Sequence, residues 1–328
     1  MRRSDPSLQR ENGQHRFFQL TTNTPPPMKL PCRLLNLTLS IGIQSAALSA
    51  TFDWQDKPEA NHEMAFRLFV PDGVASARAV IALTPGFNGD GRGMAEDPAW
   101  QAFAKKNQCV LLACSMKGDY GGQYYEAEKW SGKVMLEALK KLAPTSGHPE
   151  IAAAPIALWG HSAGGQFNFN FACWKPERTL AFVANKGGYY GESTRPSVRK
   201  IPGMWILGAK DTGIRVKNIT SKYEDGRKQG AIWALAVEPN EGHGVGRSRD
   251  LGMVFLEECL AAGFDNFGRS KPFDPGAGWL GNPETKQIEK NATGGPGPKT
   301  SCWFPGERTA TLWVEVEGTV LEGHKEEL

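Results

Sequence analysis

From Thr51 onward, short apolar runs alternate with longer stretches whose apolar positions recur every three or four residues. The short runs predict strands over residues 64–71, 79–83, 110–113, 156–159, 180–184, 204–207 and 232–237. The longer ones predict helices over 98–106, 130–142, 167–173, 216–227 and 251–262. In 130–142, for example, Val134, Leu136, Leu139 and Leu142 mark one face, with lysines between them. Most of the strand runs carry no polar alternation, as expected of strands covered on both faces. Strands alternating with helices therefore predict an α/β class with a mostly parallel central sheet and helices on either side. We read 51–262 as this domain. Beyond Gly263 the pattern fades into a Gly/Pro-rich stretch at 294–298, with a late strand expected over 309–316. Residues 263–328 are read as an extension packed on the same domain. No internal repeat is visible.

The N-terminal pattern is different. Residues 1–27 are polar and end in Pro25-Pro26-Pro27, which reads as a non-native or disordered leader. Met28 then opens a segment in which Lys29 and Arg33 supply charge, 34–43 is mainly apolar, and Ala46, Ala47, Ser49 and Ala50 are small. That order reads as a signal peptide over 28–50, cleaved near Ser49 or Ala50, with Met28 as the true start. A secreted or periplasmic location follows as an expectation. No later stretch is long and apolar enough to span a bilayer.

Composition changes this picture little. The 328 residues are 40% apolar and 22% charged, with a formal net charge of +3. That balance gives no electrostatic reason to expect a nucleic-acid partner. Of the cysteines Cys32, Cys109, Cys114, Cys173, Cys259 and Cys302, the first would leave with the signal, and an odd number would remain. Their spacing matches no zinc site. Buried free thiols are the expected state of most of them.

The candidate chemistry begins at Gly160-His161-Ser162-Ala163-Gly164. A G-x-S-x-G pattern carries little alone. Here it sits directly between a predicted buried strand and a predicted helix, the setting of a nucleophile elbow. The sharp turn needs small neighbours, and a helix N-terminus favours developing negative charge. The competing reading is a helix-capping serine. A serine hydroxyl needs a base. His15 lies in the leader, His62 precedes the first predicted strands, His148 lies in a loop, His324 is near the end, and His161 points away on the elbow. His243, in the glycine-flanked loop 241–246 after a predicted strand, is the candidate base. Asp211, in the loop after the strand 204–207, is the candidate acid that orients it. Glu241 is the rival acid, and Glu238 a weaker one. For the oxyanion, the backbone N–H of Ala163 and that of Phe87, in the loop Thr84-Pro85-Gly86-Phe87-Asn88-Gly89, are nominated, with Asn88 as the alternative.

Taken together, the 160–165 elbow, Asp211, His243 and the 85–89 loop resemble secreted α/β-hydrolases of the polyhydroxybutyrate depolymerase and feruloyl esterase type. Dienelactone hydrolases are cousins. The likeness covers roughly residues 64–262, and the chain order Ser, Asp, His is the order of that fold. It implies carboxylic-ester hydrolysis through a covalent acyl-enzyme, with no cofactor and no metal. The substrates expected are small, aromatic or polysaccharide-linked esters. The oxyanion loop lacks the His-Gly-Gly-Gly of many esterases. Serine at 162, where dienelactone hydrolases usually carry cysteine, counts against that activity. Phe87, Tyr124, Tyr125, Trp174, Tyr189 and Tyr190 could line an aromatic groove, and residues 187–195 could form a lid or cleft wall. A serine peptidase of the same fold and a non-catalytic hydrolase-like binding protein are the alternatives.

Overall fold

A computed structural model describes residues 48–118, 123–191 and 195–318. The leader 1–27, residues 28–47 of the signal-like segment with Cys32, His15, His324 and residues 192–194 of the expected cleft wall lie outside the described residues.

Two strands precede the parallel core. β1 (Ala50–Glu59) and β2 (His62–Val70) pair antiparallel. β1 was not foreseen. It is half-buried at alternate positions only, with Phe52 and Trp54 packed against the core, so it lacks the continuous apolar run that marks the inner strands. His62 opens β2 and stacks on Trp130 at 4.2 Å between ring centroids.

The remaining strands of this sheet are β3 (Val80–Thr84), β4 (Val110–Lys117), β5 (Ile156–His161), β6 (Thr179–Asn185), β7 (Gly203–Gly208) and β8 (Trp233–Glu238). They run parallel to one another, and the sheet order is β1-β2-β4-β3-β5-β6-β7-β8. This mostly parallel sheet with an antiparallel second strand is the α/β-hydrolase fold. The chain leaves β3 toward β4 on one side and returns to β5 on the other. That reversal opens a crevice at the strands' C-terminal ends, where ligands of such sheets bind.

The helices are α1 (Pro98–Lys106), α2 (Ser131–Ser146), α3 (Ala163–Trp174), α4 (Gly213–Lys228) and α5 (Ser248–Ala262). Asp97 caps α1 by accepting from the Ala99 and Trp100 N–H groups. α3 begins at Ala163, directly after Ser162 as the elbow reading expects and ahead of the 167–173 run, because its glycines allow the first turn to press against the sheet. It is buried almost all round, which is why it shows no amphipathic stripe.

The extension after α5 forms a small sheet in the order β10-β9-β11 from β9 (Trp279–Gly281), β10 (Ile288–Lys290) and β11 (Cys302–Phe304). The strand expected over 309–316 is instead part of the helix α6 (Glu307–Gly318). The alternation of Thr, Val and Trp misleads there. The positions actually buried, Thr309, Ala310, Trp313 and Val316, follow helical spacing. The Glu258 carboxylate of α5 also accepts from the Arg308 and Thr309 N–H groups at 3.1 and 3.0 Å, satisfying donors of the first turn. α6 then covers the outer edge of β8. Trp313 Nε1 donates to the Leu235 carbonyl at 2.8 Å, and the Val237 N–H donates to Glu317 at 2.9 Å. An open strand edge is thereby closed. All five described cysteines are buried free thiols.

Candidate active site

Ser162 sits between β5 and α3 with φ 55° and ψ −122°, a region that non-glycine residues rarely occupy. The surroundings hold it there. Its N–H donates to the Asn185 carbonyl at 2.7 Å, and its own carbonyl accepts from the Gln166 N–H at 3.1 Å. The flanking glycines are sterically required. A Cβ on Gly160 would lie 2.1 Å from Thr84 Oγ1, and one on Gly164 2.4 Å from the Thr84 carbonyl oxygen. Thr84 also donates to Asn168 Oδ1 at 2.9 Å, while Asn168 Nδ2 donates to the Val183 carbonyl at 3.0 Å. The turn is thus clamped from β3, β6 and α3 at once.

The structure brings the three expected side chains into one hydrogen-bonded chain. With Nδ1 of His243 protonated, that nitrogen donates to Asp211 Oδ2 at 2.8 Å, leaving Nε2 to accept from Ser162 Oγ at 2.9 Å. Asp211 is nearly buried, and it also accepts from the Thr212 N–H at 2.7 Å and Arg215 Nη1 at 2.9 Å. Desolvation pushes its carboxyl pKa up. The hydrogen bonds from His243, Thr212 and Arg215 together outweigh that and hold it below the ordinary aspartate value. Glu241, the rival acid, makes only backbone hydrogen bonds among the described residues. Glu238 is engaged elsewhere.

That engagement lies beneath the His243 loop. Glu238 and Lys186 form a buried ion pair. Lys186 Nζ also donates to the Gly244 carbonyl at 2.7 Å, and the Glu238 carboxylate accepts from the Arg247 N–H at 2.5 Å. Each partner therefore pins one point of the loop that carries His243. Gly246, at φ 56°, passes so close that a Cβ would meet Glu238 Oε1 at 2.4 Å. Gly208, at the end of β7, similarly lets the 241–242 backbone pass over it.

His161 packs beside His243 with ring centroids 5.1 Å apart, and its Nδ1 faces Asn185 Nδ2 at 3.1 Å. Burial is the main cause, and the proximity of His243 and of Lys186 adds to it, lowering its pKa to about 4. It stands as a neutral wall of the site.

The loop after β3 forms a tight turn, with the Gly89 N–H donating to the Gly86 carbonyl at 3.0 Å and Asn88 at φ 54°. Asn88 Oδ1 accepts from the Gly118 N–H at 2.9 Å, and the Met116 N–H donates to the Gly89 carbonyl at 3.1 Å, so the turn is tied to β4. Phe87 and Ala163 both line the cavity of about 480 Å³ into which Ser162 opens. Of the aromatic candidates, Tyr125 and Tyr189 line it as well. Tyr124 is buried beneath, stacked against Phe87, with its hydroxyl donating to the Pro85 carbonyl at 3.3 Å. Tyr190 lines a neighbouring chamber of about 450 Å³ that shares Tyr125 and Tyr189 with the first. Trp174 lies away from both, packed on Gly132 of α2.

Three residues at the site were not foreseen: Arg215, Gln166 and Lys186. Arg215 stands four residues after Asp211 on a helix start, a spacing legible in advance. Lys186 and Glu238 are 52 residues apart and meet only because β6 and β8 end at the same sheet edge. Among the described residues no group of His, Cys, Asp and Glu is arranged to hold a metal, and no helix is long and apolar enough to cross a membrane.

No family model matches the chain, and no curated protein matches it in sequence. Among solved structures, it is similar to poly(aspartic acid) hydrolase-1 from Sphingomonas sp. KT-1, at 17% identity and a TM-score of 0.49 over 64% of this chain and 99% of the other. It is similar to an S-formylglutathione hydrolase from Agrobacterium tumefaciens, at 16% identity and a TM-score of 0.48 over 65% and 94%. It is also similar to a ferulic acid esterase, at 14% identity and a TM-score of 0.47 over 65% and 97%.

Proposed function

We propose that this protein is a serine hydrolase of carboxylic esters, with Ser162 as nucleophile, His243 as general base and acid, and Asp211 as the group that orients and charge-balances His243. The observation that carries this reading is the hydrogen-bonded chain from Ser162 Oγ through His243 to Asp211, with Ser162 held in a strained turn at the N-terminus of α3.

His243 Nε2 takes the Ser162 proton as Oγ attacks the ester carbonyl. The carbonyl π electrons move to oxygen, and the N–H groups of Ala163 and Phe87 receive that oxyanion at the start of α3. Collapse expels the alcohol, which takes the proton from His243. Water, deprotonated by the same imidazole, then attacks the acyl-enzyme, and the carboxylic acid leaves with Ser162 restored. Asp211 keeps the tautomer that makes both steps possible. The cavity walls Phe87, Tyr125 and Tyr189 suit small, aromatic or polysaccharide-linked esters.

Export through a signal at 28–50 belongs to the same proposal. β1 starts at Ala50, so cleavage at Ser49 or Ala50 leaves the strand essentially whole. N-terminal sequencing of secreted material tests it; a mature chain retaining residues 28–47 would refute it. The reaction is tested by a panel of p-nitrophenyl and feruloyl esters against peptide amides. Ester turnover that Ser162→Ala abolishes is expected. Turnover of amides alone would replace the reading by a peptidase, and turnover of neither would remove it.

A further inference from the structure

Besides Ala163 and Gln123, the cavity around the reacting serine is lined by Ser162, Phe87, Tyr125, Tyr189, Gln166 and Arg215. Their chemistry is uneven. Three are aromatic, and Arg215 is the one charged group lining this cavity among the described residues. Among the described residues no carboxylate lines it. Arg215 lies at the start of α4, close over Gly188, where a Cβ would meet its Cγ at 2.6 Å. Its side chain is 27% exposed. Nη1 is committed, donating to Asp211 Oδ1 at 2.9 Å and to Thr212 Oγ1 at 3.3 Å. That contact fixes the plane of the guanidinium.

Nε and Nη2 have no acceptor among the described residues. They form one edge of the guanidinium fork, the edge whose two parallel N–H bonds match a carboxylate. Gln166 supplies a second unmet donor. It is 5% exposed, its Oε1 accepts from the Gly188 N–H at 3.0 Å, and its Nε2 is buried with no partner among the described residues. A buried amide donor without an acceptor is unfavourable until something fills the role.

We infer that the cavity recognises an ester carrying a free carboxylate, held by the open edge of Arg215, with its apolar portion between Phe87, Tyr125 and Tyr189. The chemical class is a hemiester of a dicarboxylic acid. Asp211 locks Arg215 from behind, so the group that orients His243 also presents the cation to the substrate. Arg215 thus sets specificity. The inference rests on the ester-hydrolase reading for turnover, but the binding it describes is separable from turnover.

The test uses the full chain with Ser162→Ala, which cannot consume its ligand, and compares monobenzyl glutarate with benzyl pentanoate by calorimetric titration. The two share chain length and differ in one terminal carboxylate. A charge-assisted fork is expected to favour the glutarate by about tenfold in Kd. Ser162→Ala/Arg215→Met should lose that preference, and Ser162→Ala/Arg215→Lys should keep part of it. In the Ser162 enzyme, the ratio of kcat/KM for the two esters should follow the same order. A ratio is read because Arg215→Met also loosens Asp211, which affects both esters alike. Equal affinities, or a preference that survives Arg215→Met, would overturn the inference while leaving ester hydrolysis intact. An Arg215-dependent preference in an enzyme that hydrolyses neither these two esters nor any of the p-nitrophenyl and feruloyl esters would support the anion site and overturn the proposed reaction.

Discussion

Replacing Lys186 by Met removes the cation from a pair that water does not reach. The Lys186 side chain is fully buried, and that of Glu238 is 4% exposed. The substitution leaves the Glu238 carboxylate with the Arg247 N–H as its remaining hydrogen-bond donor among the described residues. Removing one partner of a buried ion pair destabilises by about 3–5 kcal/mol, because the other charge stays buried without compensation. In a domain of this size each kcal/mol shifts Tm by about 2–4 °C, so a fall of about 6–20 °C is expected. Lys186→Met/Glu238→Leu, which removes both charges, should recover a substantial part of the loss. The same pair pins two points of the loop just after His243, the Gly244 carbonyl and the Arg247 N–H. Ester hydrolysis by Lys186→Met, assayed well below its Tm, should therefore show a lower kcat with KM little changed. Thermal unfolding followed by circular dichroism gives the stability, and initial rates on a p-nitrophenyl ester give the kinetics. A Tm within about 2 °C of wild type, or a double variant less stable than the single one, would refute the reasoning.

The other expectations follow from single contacts. Gly164→Ala forces a Cβ to within 2.4 Å of the Thr84 carbonyl oxygen, so it should cost about 1–3 kcal/mol and most of the activity, read by Tm and initial rate. Asp211→Asn should lower kcat by up to about 10⁴-fold, since the imidazole loses its tautomer and its counter-charge; unchanged activity would move the acid role to Glu241. His161 stays neutral in the folded chain down to about 4. The unfolded chain takes up that proton below about 6.5. Its contribution to stability is therefore full above about 6.5 and is lost as the pH falls toward 4. His161→Gln should flatten the Tm-against-pH curve in that window; an unaltered slope would show that His161 does not shape it.

The parts of the fold that the chain announces in advance are those where one physical cause dominates. β3 to β7 are covered on both faces and read as unbroken apolar runs. α1 and α2 face solvent on one side and show their period. β1 is different, since Phe52 and Trp54 alternate with polar residues beside a signal-like segment. α6 is different again: its residues alternate like a strand, and only the Glu258 carboxylate and the β8 edge, both distant in sequence, make it a helix. The site follows the same division. Ser162, Asp211 and His243 each stand in a local turn whose chemistry is legible. The Lys186–Glu238 pair beneath them depends on register across the sheet, and no local pattern carries it. Arg215 was legible by its spacing from Asp211, but its place on the cavity wall depends on how α4 leans over Gly188.

The central claim is that Ser162 is a nucleophile activated by His243. It is tested most directly by reacting the full chain with a serine-directed fluorophosphonate and mapping the adduct by peptide mass spectrometry. Stoichiometric labelling confined to Ser162, abolished in Ser162→Ala and strongly slowed in His243→Ala, is the expected result. No adduct on the folded wild-type protein, or an adduct on another residue that persists in Ser162→Ala, would contradict it.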